Sequence, residues 1–253
     1  MPLRYFGLVV GLFLVTWQPP SSAAQASPET VCPESVLVAV GKHFGLSHFA
    51  YPQNNDGQLA AGVCRRWPTN RTQIISAFVY GHQNDGSQKL LLALVDPVRQ
   101  KVLATHKRDI EEDATTEFNS DSLKLDLAKY QLTKDIRAFA LRENSFRERC
   151  TYDGGIGEYL TLFVVEQSSI RPVFQITMSE WSYGPGDRCS GAEVSITETS
   201  NVISVEKTTS NGFADLKLSA KQDGRTPSSG GAIFQYNGCH YVGMPWTQWP
   251  CKK

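Results

Sequence analysis

The 253 residues carry 25 basic and 25 acidic side chains, a formal net charge of +0, and 41% hydrophobic residues. That apolar fraction suffices for a packed core. Neutrality removes the electrostatic footprint expected of a nucleic-acid binder or an anionic-membrane binder, so neither is expected as a partner.

Met1–Ala26 has the organisation of an export signal: Arg4 in a short basic region, the apolar run Phe6–Val15, then Pro19-Pro20 and the A-x-A site Ala24-Gln25-Ala26. The run falls well short of the ~20 residues that span a bilayer, and no later segment approaches that length. Cleavage after Ala26 is expected to leave residues 27–253 as a periplasmic or secreted chain without a membrane span. Its cysteines, Cys32, Cys64, Cys150, Cys189, Cys239 and Cys251, then lie in a compartment that permits disulfides. Nearest-neighbour pairing is the simplest arrangement and predicts Cys32–Cys64, Cys150–Cys189 and Cys239–Cys251. No C-x-x-C or paired-histidine spacing suggests zinc, and no metal or cofactor is expected.

In chain order, Val36, Leu37, Val40 and Phe44 recur at helical spacing and predict a short helix over 36–44, with Gly45 as its cap. A polar loop is expected from Gln53 to Gly57. From Thr72 the pattern changes to β. Ile74–Tyr80 is rich in β-branched and aromatic residues, and Lys89–Val95 with Lys101–His106 predicts a hairpin around the five-residue loop Asp96–Gln100. Leu123, Leu125 and Leu127 alternate with polar residues, and Lys134–Arg142 is a further strand. Tyr159–Glu166 and Pro172–Met178 predict a second hairpin across Gln167–Arg171. Val194–Thr197, Val202–Lys207, Ala214–Ala220 and Ala232–Tyr236 complete the set. Asp85-Gly86, Asp153-Gly154, Asn211-Gly212, Asp223-Gly224 and Asn237-Gly238 read as turns in which glycine takes positive φ. The expected fold is mostly β, an antiparallel β-sandwich or barrel-like architecture with one short N-terminal helix, stapled by disulfides. Residues 27–253 read as one β-rich domain, and the stretch 143–157 is the candidate boundary if two β-units exist.

Signatures of chemistry are weak. There is no G-x-S-x-G elbow, and nothing marks His43, His48, His82, His106 or His240 as a triad member. His43 and His48 are five apart, wrong for ligands on one helical face. The acidic stretch Asp109–Asp113 lacks the spacing and central glycine of a calcium loop. Glu158, Glu166 and Glu180 lie near strands, and a glycosidase would need two carboxylates ~5–9 Å apart across a cleft. No catalytic residue is assigned. Aromatic loops are the stronger lead. Trp181 and Tyr183 precede Gly184-Pro185-Gly186, and Tyr241, Trp246 and Trp249 lie around the expected Cys239–Cys251 loop. Rigid aromatic side chains bury much area at little entropic cost, which suits a recognition surface. These five residues are the candidate binding set.

Two stretches carry a resemblance. Asp126–Leu132 runs into Ile136–Arg142, and Asn211–Leu218 is followed by Phe234–Tyr241, with the pattern G-x-x-D-L and then Y-x-G-x-x-Y. The pair resembles strand–turn–strand units of a loose group of uncharacterised exported bacterial β-proteins. The resemblance implies a binding scaffold rather than an enzyme, and transfers no functional residue. Locally, Asp215 is placed to hydrogen-bond the Asn211-Gly212 turn, Leu216 and Leu218 share one face, and Tyr236–Tyr241 reads as a tight hairpin. The expected function is therefore a non-enzymatic periplasmic protein that binds a protein partner in the cell envelope, such as an inhibitor or immunity protein. The alternatives are an envelope glycan or peptide hydrolase and a carbohydrate-binding module. The last predicts Trp181, Trp246 and Trp249 coplanar on one face.

Overall fold

The structure, a computed structural model, describes residues 32–52, 57–81, 88–110, 115–145, 152–186, 194–221 and 231–242. Residues 1–26, expected as an export signal, and Cys150, Cys189, Cys251, His82, Trp246 and Trp249 lie outside the described residues.

Helix α1 (Glu34–Phe44) ends at Gly45, which adopts φ 66° as a left-handed cap and bonds back to the Gly41 and Lys42 carbonyls. A four-stranded antiparallel meander follows: β1 (Leu59–Arg66), β2 (Ile74–Tyr80), β3 (Lys89–Asp96) and β4 (Lys101–Asp109). Both faces of this meander are covered, and period-two alternation divides its side chains between them. Phe78, Leu91, Ala93 and Val95 face Val36, Ala39 and Val40 of α1 in a helix-side core. Ile75, Ala77, Val79, Leu90, Leu92 and Leu94 face the other way into a central core. The disulfide Cys32–Cys64, with a Cα–Cα distance of 5.0 Å, fastens the start of α1 to β1.

β5 (Leu123–Gln131), β6 (Arg137–Glu143) and β7 (Gly154–Glu166) form the next layer, and it too is buried on both faces. Leu125, Phe139, Leu141 and Phe163 enter the central core, where Phe139 and Phe163 stack with centroids 5.5 Å apart. Ala138, Ala140, Leu160, Leu162 and Val164 enter a C-terminal core. That core is closed by β8 (Ser169–Tyr183), β9 (Ile196–Ser210), β10 (Phe213–Lys221), β11 (Ala232–Tyr236) and β12 (Tyr241–Val242).

β8 joins the layers. One edge pairs along its length with β7, while the other meets β4 in parallel at Thr105–Ser169 and β9 in antiparallel over Ser179–Tyr183. Among the described residues, all twelve strands thus belong to one open, branched and mostly antiparallel sheet rather than a closed barrel.

Several boundaries differ from the sequence reading. Leu59–Arg66, to which the sequence pattern assigns no element, is a strand. Its small residues Ala60-Ala61-Gly62 give little β signal, and Gly62 has a steric cause: a side chain there would meet the Tyr51 hydroxyl and the Phe78 ring. The β7–β8 hairpin turns through Gln167-Ser168, with Gln167 at φ 54°, so the expected five-residue loop is replaced by strand. The two strands expected at Val194–Thr197 and Val202–Lys207 are the single strand β9. Asn211-Gly212 does turn β9 into β10, with φ 47° and 85°. Gly154 does not turn at all. It is an extended residue of β7, so the candidate boundary at 143–157 contains the end of β6 and the start of β7, which pair with each other at Glu143–Tyr159.

Replacing Cys32 and Cys64 together by alanine removes the cross-link that closes a 32-residue separation. The expected loss is about 3–4 kcal/mol of unfolding free energy, read as a lower urea midpoint relative to the oxidised parent.

Candidate functional site

The far end of β8 is built differently from the rest of the strand. Phe174, Ile176 and Met178 point into the C-terminal core, but the same alternation continues with Glu180 and Ser182, which are exposed. The apolar floor therefore stops at Met178. The remaining residues of β8 run beyond it as the middle of a three-stranded blade, between Gly154–Glu158 of β7 and Ile196–Ser200 of β9. The Tyr183 N–H donates to the Asp153 carbonyl at 2.9 Å, and the Gly184 N–H to Ser195 at 2.7 Å, which fixes the tip.

Trp181 and Tyr183 occupy the other face of this blade. Both are half-buried, and their rings meet edge to face with centroids 5.1 Å apart and planes 70° apart. Trp181 lies opposite Gly155 on β7 and Glu198 on β9; Tyr183 lies opposite Ile196, which is 59% exposed. Glycine on the β7 side has a steric cause. A Cβ at Gly154 would come within 2.6 Å of the Trp181 carbonyl oxygen, and one at Gly157 within 2.5 Å of Ser179 Oγ. Among the expected binding residues, Trp181 and Tyr183 are thus brought together. Ile196 joins them only through the register of β9, which local sequence does not reveal.

Tyr241 is placed elsewhere and is corrected from a surface residue to a core residue. It is 1% exposed, its hydroxyl donates to the Ala214 carbonyl at 2.6 Å, and its ring meets Phe174 edge to face. Burial, with the nearby charge of Asp215 and then Tyr236, raises its pKa well above the ordinary phenol value. The cause is the β11–β12 hairpin, which pairs Tyr236 with Tyr241 and lays both on the C-terminal core. The loop of that hairpin is ordered by Asn237, whose side-chain oxygen accepts the N–H groups of Cys239 and His240, each at 2.9 Å. Cys239 is disulfide-bonded, to a partner outside the described residues. Arg171 holds the loop to β8: it makes a two-pronged ion pair with Glu166 at 2.9 and 2.6 Å, reaches Tyr236 Oη at 3.2 Å, and donates to the Cys239 carbonyl. Asp215 does not bond the Asn211-Gly212 turn. It is 3% exposed with Oδ1 unpartnered, and the Asn211 amide instead donates to the Tyr236 carbonyl at 2.7 Å.

The carboxylates considered for acid–base work are mostly ion-paired. Glu158 receives Arg142 Nη1 at 2.5 Å, and the same guanidinium donates through Nε to Asp126 at 2.9 Å. Burial pushes the Asp126 pKa up, but the Ala128 N–H, the Tyr130 hydroxyl and Arg142 together hold it below the usual value; Tyr130 is pushed up to about 12. Hydrogen bonds from Arg171 lower the Glu166 pKa. Glu180 is exposed on the blade. Among the histidines, His106 packs edge to face on Phe163 at 5.3 Å, inside the central layer pair. Asp109 pairs with Lys89 at 3.3 Å, and among the described residues no group of three or more His, Cys, Asp or Glu side chains converges as a metal site would.

Together these features define a disulfide-linked, mostly antiparallel β-protein with an aromatic blade at one end of its longest hairpin. Comparison with protein-family models, with curated proteins and with solved structures gives no match.

Burial, then the charge of Arg108, lowers the His106 pKa from 6.5 to about 4, against a smaller opposite effect of its bond to the Ile170 carbonyl. The folded state therefore takes up this proton at lower pH than the unfolded chain. The stability it protects is full above pH 6.5 and falls as pH drops from 6.5 towards 4, by roughly 2–3 kcal/mol over the window. Replacing His106 by Phe should flatten this part of a stability-versus-pH curve measured by urea unfolding.

Proposed function

We propose that this chain is an exported, non-enzymatic binding protein of a bacterial envelope, and that it engages a protein partner through the blade bearing Trp181, Tyr183 and Ile196. An inhibitor or immunity protein that shields the cell from an envelope-acting enzyme or toxin is the role in this class that best suits it. The observation that carries the reading is the departure of β8 from its own core at Met178, which presents an aromatic pair on a rigid three-stranded support. Paired strands on both sides of β8 fix the backbone in advance, so binding would order little beyond side chains. Aromatic anchors of this kind supply most of the energy at protein interfaces. The export segment Met1–Ala26 and the resemblance to exported β-proteins support the location.

The geometry favours a protein over a sugar as the partner. A carbohydrate platform needs rings lying flat along one plane, and the Trp181 and Tyr183 planes stand 70° apart. The hydrolase reading is less supported, because Glu158 and Glu166 are bound to arginines.

The test uses the mature chain as bait against a periplasmic extract, beside the Trp181→Ala and Tyr183→Ala variants. A specific partner retained by the parent, and bound at least about tenfold more weakly by either variant, supports the proposal. Recovery of no specific partner, or equal binding by parent and variants with unchanged unfolding midpoints, overturns it.

A further inference from the structure

The central core has one polar end, and its hydrogen bonding is incomplete. On β6 and β7 the register pairs Phe139 with Phe163, Leu141 with Thr161 and Glu143 with Tyr159, so these six side chains share the face that lines the core. On the opposing meander, β3 and β4 pair Leu94 with Ala104, Leu92 with His106 and Leu90 with Arg108 on the facing surface. Gln88 continues the alternation of Leu90 and Leu92, and its carbonyl accepts the Ile110 N–H at 2.9 Å. Two contacts span the layers and show that these surfaces meet: His106 on Phe163, and Arg108 Nη2 to Glu143 Oε2 at 2.6 Å.

Three polar side chains at this end are more than nine-tenths buried, yet keep unpartnered atoms among the described residues. Gln88 is 1% exposed with both Oε1 and Nε2 unbonded; Thr161 is 2% exposed with Oγ1 unbonded; Glu143 is 5% exposed with Oε1 unbonded. Leaving four such atoms dry would cost an amount comparable with the whole net stability of a domain. Since Arg108 already neutralises Glu143, the demand is for hydrogen bonds, not for charge. Carboxylate and amide oxygens need donors, the amide nitrogen needs acceptors, and the threonine hydroxyl can use either. A hydroxyl group supplies both. Thr161 sits two residues from Tyr159, the partner of Glu143, a step of about 7 Å along the strand that two or three hydrogen-bonded hydroxyls bridge.

We infer that the polar end of the central core, formed by Gln88, Thr161 and Glu143 with Arg108 and Tyr159 on its more exposed side, is a binding site for hydroxyl groups. The shared chemistry belongs both to internal water and to the hydroxyls of a small polyol or sugar. This site is separate from the aromatic blade and does not depend on the proposed partner.

Thr161→Val and Gln88→Leu remove the polar atoms at nearly constant volume, and Thr161→Ser keeps the hydroxyl. If the atoms are bonded to hydroxyls, both apolar variants lower Tm by about 2–6 °C, and Thr161→Ser lowers it less than Thr161→Val. A high-resolution crystal structure then shows density bridging Gln88, Thr161 and Glu143. A panel of glycerol, glucose and maltose separates the sources. Saturable stabilisation of the parent that disappears in Thr161→Val identifies a polyol or sugar. Equal, non-saturating effects on both proteins, with bridging density in solute-free crystals, identify water. Apolar variants as stable as the parent or more so, or a dry site in which Gln88 bonds only to protein, overturn the inference.

Discussion

The architecture depends on the two edges of β8. An antiparallel strand offers one hydrogen-bonded edge to each side, and β8 spends one of them entirely on β7. Its other edge is divided between β4 at the start and β9 at the end. Because both edges are committed, the N-terminal meander, the middle layer and the C-terminal strands cannot shift register independently. A slip of one residue would exchange Phe174, Ile176 and Met178 for Gln175, Thr177 and Ser179 in the core. The same strand that closes the C-terminal core then runs out of core, and the blade is the remainder of its length.

Stacking sheet layers with both faces covered has a second consequence. The inner strands β2 and β3 are buried almost throughout, as in Leu90–Val95, so the alternation that normally marks an antiparallel strand fades there, while β4 and β5 keep polar positions. Polar atoms drawn into such layers have no route to bulk water and must be matched inside. The Arg108–Glu143 pair is matched on one carboxylate oxygen, and the unmatched atoms around it concentrate at the same end.

What the sequence disclosed follows from these constraints. Local signals were legible: the α1 periodicity with its Gly45 cap, the Asn211-Gly212 turn and the Tyr236–Tyr241 hairpin all rest on contacts within a short stretch, and the nearest-neighbour rule for cysteines found Cys32–Cys64. β1 was hidden, because Ala60-Ala61-Gly62 has little strand propensity and Gly62 answers to the close approach of Tyr51 and Phe78. Gly154 looked like a turn residue, yet its glycine answers to the close approach of the Trp181 backbone. Trp181 and Tyr183 were legible as aromatic candidates, but the Gly184-Pro185-Gly186 context suggested a loop where β8 in fact runs on to Tyr183, and Ile196 reaches them only by pairing. Tyr241 shares their composition but not their setting, since the hairpin that carries it folds inward. Gln88 and Thr161 carried no signal, because nothing local distinguishes a buried polar residue from an exposed one.

The three cores also follow the chain in order. The helix-side core draws its buried residues from Cys32 to Val95, the central core from Ala61 to Ile170, and the C-terminal core from Tyr130 to Tyr241. Each overlaps the next by part of one layer, so a chain emerging from its N-terminus can complete one core before the next has all its members. The final plug is Tyr241. Until it arrives, Phe174 and Phe234 lack one wall, and a chain cut short of the β11–β12 hairpin would retain two finished cores and expose a third. Arg171 ties that last piece to the β7–β8 hairpin, since the guanidinium paired with Glu166 also reaches Tyr236 Oη and the Cys239 carbonyl.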